Sequence, residues 1–144
     1  MNYNNNPKQR AKAQEIILKV FEHLIVQGER AMDGPQCVYR APDGNKCAAG
    51  CLIPDELYSN KMEGSSFRHV AMDHPKLQEM FGDYIELIGE LQQIHDNYSP
   101  WDPKLNWNHY MLEEFQILCR QFGLDYSEIF DSFNELRGTL EHHG

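Results

Sequence analysis

Residues 37–53 read CVYRAPDGNKCAAGCLI, and they determine whether the chain is all-helical or mixed. At their centre, Pro42-Asp43-Gly44-Asn45 has the composition of a tight turn, because proline presets φ and glycine accepts a positive φ. Short runs containing Val, Tyr and Ile flank this turn, and such residues favour strands. Residues 37–53 therefore predict a β-hairpin.

The weakest part of this hairpin is Ala48-Ala49-Gly50, because these small residues favour neither strand packing nor a stable isolated hairpin. Two alternatives stay open for them. They could begin a helix, or they could let another backbone or a ligand approach closely.

The rest of the chain predicts helices. The clearest one begins at Asn6-Pro7, where asparagine caps and proline takes the first helical position, and it ends at Gly28. Residues 59–74 are interpreted as an ordered loop. Further helices are predicted to open at Asp73-His74-Pro75, to cover residues 85–98, to open at Asp102-Pro103, and to follow a cap at Asp125 or Ser127.

These elements predict the α+β class, as one helix-rich domain over residues 1–144 with a β-hairpin or small antiparallel sheet packed on four to five helices. Residues 1–6 and 139–144 are predicted to be flexible. His142 and His143 belong to a segment that resembles the remnant of an expression tag, so they are not counted as metal ligands. The apolar faces are expected to share one core of Ile17, Phe21, Leu24, Ile88, Leu91, Trp107, Phe115, Leu118 and Phe122.

The acidic charge is unevenly distributed. Residues 1–80 carry ten Lys/Arg and ten Asp/Glu, whereas residues 81–144 carry three and twelve, so the whole net charge of −9 lies in the second part. Such a surface repels nucleic acid and anionic lipid and attracts a basic partner. The alternative is that the acidity only keeps the protein soluble. The acidic surface is expected to include Glu86, Glu90, Glu113 and Glu114.

Several functional classes are disfavoured by the sequence. No apolar run approaches the roughly 20 residues that cross a bilayer, and residues 1–10 lack the apolar stretch of a secretory signal. We therefore expect a cytoplasmic protein that does not bind membranes. The nucleotide-binding patterns GxGxxG and GxxxxGKS/T are missing, as is a basic patch for nucleic acid. No cofactor and no nucleic-acid partner are expected.

The four cysteines would permit two disulfides, but a reducing cytoplasm favours free thiols. A zinc site would use Cys37, Cys47 and Cys51 with His69 or His74. On a strand, Cys47 and Cys51 would lie about 13 Å apart, too far to share one ion, whereas on a helix they would be neighbours. We expect no bound metal.

A thiol nucleophile is a second chemical alternative. Lys46 precedes Cys47, and a neighbouring cation lowers the pKa of a thiol. His95-Asp96 could supply a base with its orienting carboxylate. Cysteine is also a common buried residue without chemistry, and a non-enzymatic protein is the preferred interpretation.

Two segments resemble a family of small, uncharacterised phage, prophage and bacterial proteins. They are residues 39–55, YRAPDGNKCAAGCLIPD, and residues 91–96, LQQIHD. The following tryptophan and the FGL of residues 122–124 are also similar, so the resemblance spans roughly residues 15–124. It implies a phage-related cytoplasmic setting. It also implies a shared centre of Arg40, Asp43, Gly44, Lys46, Cys47, Gly50, Cys51, His95 and Asp96.

The preferred function is therefore a small acidic phage-type interaction protein that binds a protein with a basic surface, for example as an inhibitor of a host protein. The alternative is a domain centred on residues 37–51 that binds a small molecule or metal and depends on its thiols. In a purely structural alternative, Arg40 and Lys46 pair with His95-Asp96 or with the acidic helices. The candidate binding residues are Arg40, Asp43, Lys46, Cys47, Cys51, His95 and Asp96.

Overall fold

The computed structural model describes residues 2–102 and 105–143, with side chains described through residue 139. It confirms the helix-rich α+β class with a small antiparallel sheet. In chain order the elements are α1 (Pro7–Gln27), β1 (Met32–Asp33), β2 (Gln36–Cys37), α2 (Phe67–Met72), α3 (Pro75–Phe81), α4 (Ile85–Asp96), α5 (Trp107–Phe122) and α6 (Tyr126–His143), with 3₁₀ turns at Asn60–Met62 and Gly82–Tyr84.

The chain divides into two compact units. The terminal unit contains Met1–Gly28 and Ser99–Gly144, and the central unit contains Glu29–Tyr98. The terminal unit is therefore built from α1, α5 and α6. The central unit holds β1, β2 and α2–α4.

Capping explains the ends of the terminal helices. Asn6 Oδ1 accepts a hydrogen bond from the Gln9 N–H at 3.1 Å, and Gly28 ends α1 with φ of 76°, which confirms both predicted ends. The prediction that the next helix of this unit opens at Asp102-Pro103 is wrong. That helix, α5, begins at Trp107, because Asn106 provides its cap. Pro103 lies outside the described residues.

Aromatic side chains hold the terminal unit together. The rings of Phe21 and Phe115 meet edge to face with centroids 5.1 Å apart, a favourable geometry for aromatic pairs. The Trp107 side chain is buried, and its Nε1–H donates to the Leu24 carbonyl oxygen at 2.9 Å. The predicted apolar faces of α1 and α5 thus lie in the core of this unit.

All nine residues predicted for the core are buried. Ile88 and Leu91 belong to the central unit, and the other seven belong to the terminal unit. The sequence predicts that residues 1–6 are flexible, but the side chain of Tyr3 is only 1% exposed. The Tyr3 N–H donates to the Phe122 carbonyl oxygen at 2.9 Å.

The sheet of the central unit lies upstream of the predicted hairpin. Strands β1 and β2 are antiparallel, with Met32 opposite Cys37 and Asp33 opposite Gln36. Gly34 has φ of 62° in the connection. The Asp33-Gly34 dipeptide is a turn signal that could have located this sheet from the sequence.

The predicted turn inside residues 37–53 is confirmed, but its strands do not extend. Gly44 has φ of 96°, and the Ala41 N–H donates to the Asn45 carbonyl oxygen at 2.8 Å. Arg40 and Lys46 form an isolated bridge. Beyond it, the Cys51 N–H donates to the Cys47 carbonyl oxygen at 3.0 Å, so the second arm is a helical turn rather than a strand.

Gly50 lies within this helical turn, directly against the backbone of Tyr39. A Cβ at this position would clash with the carbonyl oxygen of Tyr39, so only glycine allows the two backbones to come this close. Ala48 and Ala49 are fully buried beside it. Of the two groups that the sequence allowed to approach these small residues, another backbone or a ligand, the structure shows a backbone, that of Tyr39.

The interpretation of residues 59–74 as a loop is wrong over most of its length, because it contains α2 and the 3₁₀ turn at Asn60–Met62. Ser66 caps α2 by accepting a hydrogen bond from the His69 N–H at 3.3 Å, a signal that the sequence contained. No described helix is long and apolar enough to span a membrane.

Candidate functional site

Arg40 contacts residues that follow it closely in the chain. Its guanidinium lies 2.7 Å from Asp55 Oδ1, donates to the Ile53 carbonyl oxygen at 2.7 Å, and stacks over the Tyr58 ring at 4.5 Å. Lys46 Nζ lies 3.8 Å from the same Asp55 oxygen. The structural alternative, in which these cations pair with His95-Asp96 or with the acidic helices, is therefore corrected to a pairing with Asp55.

Asp43 has a structural position in the turn. Its Oδ1 accepts a hydrogen bond from the Asn45 N–H at 2.9 Å, which is how aspartate stabilises a turn. Asp43 and Lys46 therefore lie with Arg40 on the turn of residues 40–46.

Glu63 is an organising carboxylate that the sequence pattern does not reveal. It accepts hydrogen bonds from the backbone N–H of Tyr39 at 2.8 Å and of Arg40 at 3.2 Å. The Tyr58 hydroxyl donates to it at 2.6 Å, and this carboxylate contributes, after burial, to raising the pKa of Tyr58 to about 12. This side chain thus joins residues 39–40 and Tyr58 to the segment that carries Glu63.

His95 is fully buried, and both ring nitrogens have partners. Nε2 accepts a hydrogen bond from the Ala31 N–H at 2.9 Å, and Nδ1 lies 2.7 Å from Asp96 Oδ1. A backbone N–H can only donate, so Nε2 carries no proton and the neutral ring is protonated on Nδ1. His95 therefore donates to Asp96 and has no nitrogen left to act as a base.

Gln92 extends this network. Its Oε1 accepts a hydrogen bond from the Ala49 N–H at 3.0 Å, and its Nε2 donates to Asp96 Oδ1 at 3.1 Å. Asp96 Oδ1 consequently receives two hydrogen bonds from α4 itself. The orientation of this carboxylate is set by Gln92 and His95, which are in turn held by distant backbone groups.

The thiols are arranged for structure. Cys47 is buried and accepts a hydrogen bond from the Gly50 N–H at 3.2 Å, and burial raises the pKa of its thiol to about 12. Cys51 donates to the Ala48 carbonyl oxygen at 3.1 Å. Burial, followed by the charge of Asp96, raises the pKa of Cys37. The arrangement does not form the nucleophile and base that the sequence allowed.

Among the described residues, Cys37, His95 and Asp96 form a cluster whose potential ligand atoms lie within 4.8 Å of one another. This cluster differs from the zinc site considered from the sequence, because Cys47 and Cys51 are not part of it. A metal on Nδ1 would require the proton of His95 to move to Nε2, where it would face the Ala31 N–H. The thiol, imidazole and carboxylate are suitable metal ligands, but the His95 tautomer that accepts the Ala31 N–H has its proton on Nδ1 and disfavours metal binding there.

A cavity of about 520 Å³ lies in the central unit next to this network. Its size is within the range of ligand-binding pockets. Four carboxylates and one cationic side chain line it, which gives a formal charge of −3. The lining residues are Cys37, Val38, Tyr39, Glu63, Gly64, Ser65, Ser66, Phe67, Arg68, Ile85, Glu86, Gly89, Glu90, Gln92, Gln93 and Asp96.

Of the seven candidate binding residues, Asp96 lines this cavity, and the other six do not. Glu86 and Glu90 of the expected acidic surface also line it. The sequence therefore located part of the site through α4, but it missed the contribution of Glu63 and Gly89.

The other two expected acidic residues lie elsewhere. Glu113 and Glu114 are on α5 in the terminal unit, and Glu113 Oε1 lies 3.1 Å from His109 Nε2. By unit, residues 29–98 carry six Lys/Arg and twelve Asp/Glu, which is −6, and the remainder carries seven and ten, which is −3. Most of the acidity belongs to the unit that contains the cavity.

Comparison of the chain with protein-family models, with curated proteins and with solved structures finds no match.

Proposed function

We propose that this protein is a small acidic interaction protein whose central unit binds a basic segment of a protein partner. The observation that carries the proposal is the cavity with a formal charge of −3. A concave, acid-lined surface attracts a basic segment at long range and excludes nucleic acid and anionic lipid.

The chemistry of the neighbouring groups supports binding rather than catalysis. The Cys47 thiol has a pKa of about 12 because it is buried, and a thiolate is the form that acts as a nucleophile. His95 has both ring nitrogens in hydrogen bonds. Neither group lines the cavity, and His95 acts on it by orienting Asp96.

The biological setting is part of the proposal. The resemblance of residues 39–55 and 91–96 to phage, prophage and bacterial proteins supports a cytoplasmic role, in which the partner is a host protein with a basic surface and binding inhibits it. The test is recovery of such a protein from host lysate, repeated with the cavity variant described next.

The decisive experiment compares two matched pairs of substitutions. Glu86→Gln/Glu90→Gln removes two charges at the cavity, and Glu113→Gln/Glu114→Gln removes two charges from α5. Binding to an immobilised Arg- and Lys-rich peptide is measured by biolayer interferometry at low and high salt. We expect the cavity pair to weaken binding about tenfold, mainly through slower association, and the α5 pair to have little effect.

Equal binding by both double variants and the parent protein at all salt concentrations would contradict the proposal. Equal weakening by both pairs would show that general acidity, and not the cavity, attracts the peptide. The first result would leave the acidity with a solubilising role, and the second would remove the cavity from the proposal.

A metal-binding function is the second candidate, because Cys37, His95 and Asp96 bring three potential ligand atoms together. This function is the less favoured candidate, because the hydrogen bond from the Ala31 N–H to His95 Nε2 keeps the ring proton on Nδ1. Its test is the zinc measurement given in the Discussion.

A further inference from the structure

We infer that the cavity of the central unit selects an arginine side chain of the partner and that Gly89 in its wall admits that side chain. This inference rests on the proposed function, since it specifies which basic group the cavity receives. It concerns α4, whose side chains at Glu86, Glu90, Gln93 and Asp96 all line the cavity.

Gly89 has no structural reason to be glycine. It lies in the interior of α4, where glycine costs about 1 kcal/mol relative to alanine. Its φ is not positive, and a Cβ at this position would meet no atom within 4 Å beyond its chain neighbours and the local backbone of α4. Neither backbone conformation nor close packing therefore requires glycine, and what its missing side chain provides is open space at the cavity wall.

Hydrogen-bond acceptors surround this open position. Glu86, Glu90 and Gln93 are spaced i, i+4 and i+7 along α4, so neighbouring members are about 5–6 Å apart. Asp96 follows three residues later. A cation that enters beside Gly89 thus meets acceptors on successive turns rather than a single carboxylate.

The Asp96 carboxylate has a fixed orientation before any cation binds. Its Oδ1 accepts hydrogen bonds from Gln92 Nε2 and His95 Nδ1, which fixes the plane of the carboxylate while its side chain stays partly exposed. A carboxylate of fixed orientation favours a partner with matching geometry, because little freedom is lost on binding.

Arginine fits this arrangement better than lysine. Its planar guanidinium presents five N–H donors in a rigid fork and is more weakly hydrated than an ammonium group. It can therefore reach two acceptors at once, whereas lysine acts as a compact point charge. Val38 and Ile85 in the lining offer apolar surface for its methylene groups.

The test uses three peptides that are identical except for arginine, lysine or citrulline at one position, with affinities measured by isothermal titration calorimetry. We expect the arginine peptide to bind about tenfold more tightly than the other two. Gly89→Leu should lower its affinity at least about tenfold by filling the open space. Gly138→Leu is the matched control, because Gly138 lies within α6 and an added Cβ there would likewise meet no atom within 4 Å beyond its chain neighbours and the local helix backbone.

Leucine is a better helix former than glycine, so both variants should unfold at temperatures no lower than the parent, as measured by circular dichroism. Equal affinity for the arginine and lysine peptides, or unchanged affinity of Gly89→Leu, would overturn the inference and leave the proposed function standing. If none of the basic peptides binds the parent protein, the proposed function itself fails and the inference with it.

Discussion

The ring of His95 accepts a hydrogen bond from the backbone N–H of Ala31 at 2.9 Å and thereby joins α4 to the segment that precedes β1. Because Nε2 accepts this hydrogen bond, the ring carries its proton on Nδ1, which donates a hydrogen bond to Asp96 Oδ1 at 2.7 Å. The same pair of contacts anchors the sheet of the central unit and orients a carboxylate in the cavity wall.

Replacing His95 with leucine should destabilise the protein by about 3 kcal/mol. The variant leaves the buried Ala31 N–H without its acceptor, which costs about 1–3 kcal/mol, and it removes one hydrogen bond from the partly exposed Asp96 carboxylate, which adds about 1 kcal/mol. Urea unfolding followed by circular dichroism measures the change. His109→Leu is the control, because the His109–Glu113 pair is exposed and such pairs contribute little. Equal stability of the two variants would contradict the role assigned to His95.

Purified protein prepared without chelator should carry no stoichiometric zinc. Cys37, His95 and Asp96 are close enough to share an ion, but binding through Nδ1 would place a proton on Nε2 against the Ala31 N–H. Native mass spectrometry measures the bound metal directly. One zinc per chain that is lost in Cys37→Ser would contradict the prediction and favour the metal-binding alternative.

Stability should fall as the pH rises above about 9. Burial raises the pKa of Cys47 from its ordinary value of 9.0 to about 12, and burial likewise raises that of Cys119 to about 12. Between these values the unfolded chain loses the thiol protons and the folded chain keeps them. The contribution of the two thiols to the free energy of unfolding is therefore fully present below pH 9 and is lost as the pH rises toward 12.

The urea midpoint measured across this range tests the prediction. The matched comparison is Cys47→Ala/Cys119→Ala, which should show a weaker pH dependence than the parent. An identical pH dependence in the parent and the double variant would show that these thiols ionise alike in both states.

Phe115→Ala should lower the free energy of unfolding by about 3–5 kcal/mol, because Phe115 is fully buried against Phe21 and its loss leaves a cavity. Phe130→Ala on α6 is the control, since that side chain is 47% exposed and should cost less. Chemical denaturation of the two variants provides the comparison. A Phe115→Ala protein as stable as Phe130→Ala would contradict the assignment of this core.

Features that depend on a few neighbouring residues could be predicted from the sequence. Asn6-Pro7 and Gly28 mark the two ends of α1, and Pro42-Asp43-Gly44 marks the turn, because capping and turn formation involve hydrogen bonds over two to four positions. The helix-rich α+β class also followed from periodicity, since each helix must bury one face.

The candidate site could be predicted only in part. Glu86, Glu90 and Asp96 were identified because their charge and helical position are visible in the sequence. The second arm of the predicted hairpin was wrong, since residues 47–51 form a helical turn in which Gly50 packs against the Tyr39 carbonyl. Strand propensity cannot predict such a contact, because it depends on packing and not on the residue itself.

Composition, charge and local signals thus specified both ends of α1, the presence of the other helices except α2, the turn and an acidic protein. Folding alone brought the Ala31 N–H to His95, which lies 64 residues further along the chain, and the Ala49 N–H to Gln92, which lies 43 residues further. The physical reason is that buried backbone donors must find acceptors wherever packing places them. Which side chain supplies the acceptor, and therefore how Asp96 faces the cavity, is a property of the packed chain and not of any segment.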